Sequence, residues 1–289
     1  MPGDEDAPPP ENPPAVTPAP DGAGWPTYAT REHRPFRRSV IRAVEQLTGR
    51  RWLGKRYDKA LGDGEIGGFF GRVLRELDIT VEVPEGQEDR IPREGPLLIV
   101  ANHPYGVIDG LVLCDLGYRT RGAFKILLHQ GLAQEPRLEP FMLPVDMHSD
   151  DAAQRTNRQT VKQSLKELRE GGTVLLFPAG GISTRQGLRG QVTDLPWHPL
   201  VAKLFRSART PVVPVFFGGA NSRLFQTVSQ YSPTLRASVL LREMRRMRGA
   251  TVQMRIGEPI PWTSERAEAT DEALIAALRE AVYEIGAGV

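Results

Sequence analysis

From about residue 79 onward, short β-rich runs alternate with helical stretches of 10 to 18 residues, and this alternation restricts the fold more than any other feature of the chain. Runs at 79–83, 97–101, 123–128, 141–145, 174–177, 212–217 and 251–256 read as strands. The clearest helical patterns cover 109–119, 152–170, 199–206, 235–248 and 271–286. Strands separated by helices call for crossover connections, which lay helices over the faces of a parallel sheet. The run from Pro211 to Gly219 is apolar without alternation, as expected of a strand covered on both faces. The expected fold class is therefore α/β, with a mixed, largely parallel central sheet flanked by helices. No internal repeat is present.

The segment before residue 79 divides in two by charge. Residues 1–30 hold Asp4, Glu5, Asp6, Glu11 and Asp21, no Lys or Arg, and nine prolines within the first 26 positions. Such a stretch buries too little apolar surface to fold, so it reads as a disordered acidic tail. The formal net charge of +2 thus averages a tail of −5 with a remainder of about +7. Residues 31–59 contain ten Lys or Arg against Glu32, Glu45 and Asp58. Phe36, Val40, Ile41, Val44 and Leu47 recur at helical spacing there, with Arg37, Arg38 and Arg42 between them. A second helical pattern places Ile66, Phe69, Phe70, Val73, Leu74 and Leu77 on one face. Residues 31–78 read as a basic amphipathic segment open to two uses, ordinary packing on the domain or contact with an anionic membrane surface. Residues 79–289 form the main domain.

No apolar run approaches the roughly 20 residues of a spanning helix, and no secretory signal is apparent. The expected location is cytoplasmic. The single cysteine, Cys114, lies in an apolar stretch and reads as a core residue. His33, His129, His148 and His198 lack metal-ligand spacing, so no metal site is expected. A Gly-x-Ser-x-Gly elbow, a Walker loop and a dinucleotide fingerprint are absent, as is any nucleic-acid-binding signature.

The most informative stretch is Asn102-His103-Pro104-Tyr105-Gly106-Val107-Ile108-Asp109, directly after the second strand. Loops at the carboxyl ends of such strands present reactive groups on a rigid support. Pro104 and Gly106 favour a tight turn. Asp109 begins the next helix, where it can cap that helix and reach back to the imidazole of His103. That contact would leave the other ring nitrogen to accept a proton. The same spacing also suits a plain helix cap beside a loop histidine.

Further segments follow in order along the chain. The Asn-His pair followed by an Asp, the block Phe177-Pro178-Ala179-Gly180-Gly181-Ile182-Ser183 and the strand from Pro211 to Gly219 together resemble the bacterial glycerolipid and lysophospholipid acyltransferases. The likeness spans about residues 66–262. Five residues separate His103 from Asp109 where the family usually has four, and Ala179 stands where a Glu is usual. The longer spacing resembles a branch with Asn-His-Pro-aromatic-Gly motifs that includes hemolysin-like and ornithine-lipid acyltransferases, and Ala179 likewise leaves the glycerol-phosphate pattern.

The resemblance implies His103 as general base and Asp109 as its partner. Asn102, Gly106, Phe177, Pro178, Gly180, Gly181, Ser183 and Arg185 are then implied to meet substrate, with Asn221 and Ser222 lining the cleft. Arg155, in preference to Arg158, stands for the arginine that the family places after a strand. The implied reaction moves a fatty acyl group from acyl carrier protein or acyl-CoA, a co-substrate and not a cofactor, onto a lyso-lipid hydroxyl at the inner face of the membrane. Oxyanion donors are expected from the turn at 102–110 or a neighbouring loop. Lyso-ornithine lipid or a similar acceptor is the first expectation. 1-Acylglycerol-3-phosphate is the second, and a non-catalytic lipid-binding adaptor the third.

Overall fold

The computed structural model describes residues 50–287, apart from 63, 130–135, 149, 186, 188–189 and 230–232. The acidic tail and the helical pattern at 36–47 lie outside the described residues. Among the described residues a seven-stranded sheet runs through the centre. Its strands are β1 (Thr80–Glu82), β2 (Leu97–Ala101), β3 (Lys125–His129), β4 (Met142–Val145), β5 (Thr173–Leu176), β8 (Val212–Phe217) and β9 (Thr251–Ile256), in the order β1-β9-β8-β2-β5-β3-β4. Every pairing is parallel except β8 with β9. A small antiparallel hairpin, β6 (Thr184–Arg185) with β7 (Val192–Thr193), stands apart from the sheet.

The period-2 geometry of a strand sends neighbouring residues to opposite faces, and β2 feeds both halves of the core in this way. Leu97, Ile99 and Ala101 join one apolar cluster, while Leu98 and Val100 join the other. The first cluster is covered by α1 (Arg50–Gly62), α2 (Phe69–Glu76), α3 (Val107–Arg121) and the later part of α7 (Pro233–Arg246). The second lies under α4 (Asp151–Arg169), α5 (Leu200–Ala208) and α9 (Asp271–Glu284). Two short helices, α6 (Arg223–Ser229) and α8 (Ser264–Glu268), complete the chain. The architecture is thus the expected mixed α/β sheet with helices on both faces.

The helices at 50–76 belong to this core. Phe69, Phe70, Val73 and Leu74 on α2 are all buried, as are Leu53, Ala60 and Leu61 on α1. Phe70 meets Phe124 and Phe141 with ring centroids 5.7 and 5.8 Å apart, and Phe69 meets Tyr57 at 5.1 Å. The apolar face expected at 66–77 is therefore covered by protein and offers nothing to lipid. Packing is also continuous across residue 78, because α2 and the sheet share one cluster. What α1 presents outward is charge, since Arg51, Lys55 and Lys59 are exposed at four-residue intervals.

Replacing Phe70 by Ala should lower the unfolding free energy by roughly 3–5 kcal/mol in lipid-free buffer, measured by denaturant titration. A loss below about 1 kcal/mol would mean that α2 is not part of the core.

Candidate active site

Strands β8, β2 and β5 lie side by side and parallel, so their carboxyl ends open on one edge of the sheet. Three segments that are distant in sequence meet there: the loop after β2 with His103, the loop after β5 with Phe177, and the end of β8 at Phe217. Crevices outside the carboxyl ends of such strands are the usual ligand sites of open α/β sheets.

The loop after β2 is shaped by its glycine and its acid. Gly106 has φ of +82°, and a side chain there would run into Ile182, whose Cδ1 lies 2.7 Å from the place a Cβ would take. Helix α3 starts at Val107, and Asp109 in its first turn points back under the loop. Asp109 Oδ2 accepts hydrogen bonds from the backbone N–H of Tyr105 at 2.7 Å and of Gly106 at 2.9 Å. The same oxygen lies 3.2 Å from Nδ1 of His103. The contact is an ion-pair approach and not a well-formed hydrogen bond, and Nδ1 is buried without a hydrogen-bond partner among the described residues. Asp109 therefore caps the helix and also faces the imidazole; the two uses share one oxygen.

The imidazole is held on a second side by Phe177, whose ring stacks on it at 4.0 Å and 28°. Nδ1 is buried, yet the side chain as a whole keeps 17% of its surface exposed, so the open part of the ring faces away from Asp109. Burial drives the pKa of Asp109 above its ordinary value, against the pull of its contacts with His103 and the two amides. A carboxylate beside Nδ1 favours the tautomer with the proton on that nitrogen, which leaves Nε2 as an acceptor. Chemically, the arrangement can take a proton from a hydroxyl that approaches the open edge of the ring.

Other expected residues fall into different positions. Asn102 is 4% exposed, and its amide donates to Phe217 O at 2.9 Å while accepting from Phe217 N at 2.7 Å. Both ends of this side chain thus fasten β2 to β8. Ser183 is 2% exposed and its hydroxyl donates to Asp194. Pro178 O accepts from the N–H of His198, and Gly180, with φ of +63°, closes a turn onto Phe177 O. A side chain at Gly181 would approach the guanidinium of Arg236 on α7, at 3.8 Å. Arg185 donates through Nη1 to Gly190 O at 3.1 Å, which ties it to its own hairpin. Arg155 and Arg158 are both exposed on α4, and Asn157 between them holds the backbone of Asp146 through both amide atoms. Ser222 gives its N–H and its hydroxyl to the buried Glu243, and Asn221 Nδ2 reaches Tyr105 O at 3.4 Å.

Several N–H groups of the turn at 102–110 are already engaged. Those of His103, Tyr105 and Gly106 bond to carboxylates, Pro104 has none, and Gly110 bonds within the helix. Asp194 carried no sequence signal, because it directly follows a hairpin whose position beside His103 depends on the fold. A second histidine–carboxylate pair, His148 Nδ1 with Asp146 Oδ1 at 2.6 Å, forms after β4 within one turn of chain. Among the described residues no group of His, Cys, Asp and Glu could hold a metal ion.

Because folding raises the pKa of Asp109, the folded chain holds that proton more tightly than the unfolded chain does. Its contribution to stability is full below the ordinary value near 3.8 and is lost as pH rises through the raised value. The melting temperature of the protein relative to Asp109→Asn should accordingly fall as pH rises from about 4 to 7. Calorimetry across that range measures it. A difference that grows with pH would mean that His103 and the two amides outweigh the burial.

Comparison with known proteins bears on this site directly. The sequence matches the family described as acyltransferase over residues 67–286. It is 30% identical over 224 residues to a lyso-glycine lipid O-acyltransferase of Bacteroides thetaiotaomicron, covering 75% of this chain and 79% of that protein. A lyso-glycine lipid O-acyltransferase of Phocaeicola vulgatus is 28% identical over 224 residues, covering 75% and 77%. Among solved structures, the 1-acyl-sn-glycerophosphate (LPA) acyltransferase PlsC of Thermotoga maritima aligns with 89% of this chain and 99% of that one, at 16% identity and a TM-score of 0.46. The family match covers the whole central sheet and includes both His103 and Asp109. The chain belongs to the acyltransferase family and is an enzyme of acyl transfer.

Proposed function

We propose that the protein transfers a fatty acyl group from an acyl thioester to the hydroxyl of a lyso-amino-acid lipid, of which lyso-glycine lipid and lyso-ornithine lipid are the nearest chemical forms. The observation that carries this reading is the fully buried Asp109 carboxylate facing Nδ1 of His103 at the mouth of β2. The names of the two relatives support an acceptor of the lyso-amino-lipid kind. Ala179, in place of the usual Glu, takes one carboxylate away from the block expected to meet a glycerol phosphate.

In this mechanism Nε2 of His103 takes the acceptor's hydroxyl proton as its oxygen attacks the thioester carbonyl carbon. The tetrahedral intermediate collapses with cleavage of the C–S bond. The departing thiolate recovers the proton from the imidazolium, which Asp109 stabilises while it exists. No acyl-enzyme forms. Stacking on Phe177 limits rotation of the ring and keeps Nε2 directed at the cleft. The acyl donor, on acyl carrier protein or coenzyme A, is soluble, whereas the acceptor lies in a bilayer. The enzyme would therefore work as a peripheral protein on the inner face of the cell membrane. Among the described residues no helix is long and apolar enough to cross a membrane. The exposed Arg51, Lys55 and Lys59 of α1, continuing the basic run that starts at Arg31, would draw it to anionic lipid.

His103→Ala should fold normally yet lose roughly 10²–10⁴-fold in turnover, the usual contribution of a general base. The assay uses labelled acyl-carrier-protein and acyl-CoA donors with a panel of lyso-glycine lipid, lyso-ornithine lipid and 1-acylglycerol-3-phosphate. Full activity in the variant would refute the base, and transfer to 1-acylglycerol-3-phosphate alone would refute the acceptor. Liposome binding should require anionic lipid and weaken as salt rises from 0.1 to 1 M, where the Debye length shortens from about 10 Å to about 3 Å. Salt-insensitive binding to neutral liposomes would contradict the electrostatic attachment.

A further inference from the structure

A second buried carboxylate stands behind His103. Asp194, next after β7, is 3% exposed and has three donors around it. Its Oδ1 accepts from the backbone N–H of His103 at 3.1 Å and from the Ser183 hydroxyl at 2.5 Å, and its Oδ2 accepts from the Trp197 indole at 2.9 Å. Its own N–H donates to the Tyr283 hydroxyl on α9 at 2.8 Å. Ser183 closes the circuit, because its N–H donates to His103 O at 2.8 Å. Both backbone polar groups of His103 are therefore held, one by Asp194 itself and the other by a residue that Asp194 anchors.

A buried charge is costly unless donors satisfy it, and a neutral acceptor would serve a single backbone N–H at lower cost. What a carboxylate adds is charge-assisted bonding to several segments at once, with shorter and stiffer contacts than a neutral group gives. These contacts draw the loops after β2 and β5, the β6–β7 hairpin, the Trp197 turn and α9 to one point. The two loops they fix are the ones that supply the imidazole and the Phe177 ring stacked on it.

We infer that Asp194 is a positioning residue for acyl transfer, clamping the His103 backbone so that the imidazole stays between Phe177 and Asp109. This rests on the proposed role of His103 as base. It does not require Asp194 to touch either substrate.

The test compares Asp194→Ala, Asp194→Asn, Trp197→Phe and His103→Ala in the full chain, reading kcat and KM for the lyso-lipid beside the melting temperature. Trp197→Phe removes the partner of Oδ2 and leaves the Oδ1 contacts to His103 and Ser183 in place. It should lower the melting temperature while kcat stays within about twofold of the parent. Asp194→Ala should lower kcat by roughly 10- to 100-fold with KM nearly unchanged, the loss expected from a misplaced catalytic group. Asp194→Asn keeps an oxygen for His103 and should recover part of that loss. A folded Asp194→Ala with parental kcat would overturn the inference, as would equal kcat losses in Asp194→Ala and Trp197→Phe at equal loss of stability. If Asp194→Ala does not fold, the double variant Asp194→Asn with Trp197→Phe takes its place, and kcat equal to that of Trp197→Phe alone overturns the inference. Full activity in His103→Ala would remove the base and this inference with it. An inactive His103→Ala beside a fully active Asp194→Ala would remove this inference alone.

Discussion

Strand β2 lies between two parallel neighbours, and the rest of the site depends on that placement. Its own residues are completely buried, so its end carries the following loop on a fully packed support. Parallel pairing brings the ends of β5 and β8 to the same edge, which is why residues near 103, 177 and 217 meet although they lie far apart in the chain. Asn102 extends this order one residue past the strand, because its side chain pairs with the backbone of Phe217 much as another strand residue would. The chain leaves the sheet only after that fastening, and His103 is the first residue free of it.

Beyond the strand, the arrangement is governed by buried charge. Asp109 lies under the first turn of α3, where the helix N-terminus and two N–H groups offset part of its desolvation. The remaining cost appears as a raised pKa, and its Oδ1 has no hydrogen-bond partner among the described residues. An incompletely satisfied carboxylate is destabilising in a core, but beside an imidazole it is ready to stabilise a positive ring. Tyr283 shows the reach of the second carboxylate, since burial and the nearby Asp194 push its phenol up to about 12. Two acids thus stand around His103, one against the ring and one against the backbone.

The basic N-terminal region illustrates how one pattern divides between two uses. The helical spacing at 66–77 is apolar enough to suit either protein or lipid, and its phenylalanines lie in the aromatic group around Phe70, Phe124 and Phe141. On α1 the division runs along the helix itself, with Leu53, Ala60 and Leu61 inward and Arg51, Lys55 and Lys59 outward. A face that is charged and unburied suits electrostatic attachment, which needs no apolar surface of its own.

The sequence by itself determined the strands and longer helices, since alternation and apolar runs report burial directly. Each of the seven strands expected from it forms within about two residues of its expected place. It also singled out His103 and Asp109, because with five residues between them both stay within one turn and one helix start. Local chemistry of that kind is legible along the chain. The tertiary structure alone decided what depends on residues distant in sequence: that α2 is core, that Asn102 binds Phe217, that Ser183 and Arg185 are tied to protein groups, and that Asp194 reaches His103. A side chain's partners follow from which strand ends become neighbours, and the order β8-β2-β5 is a consequence of packing the whole sheet, which no local pattern records.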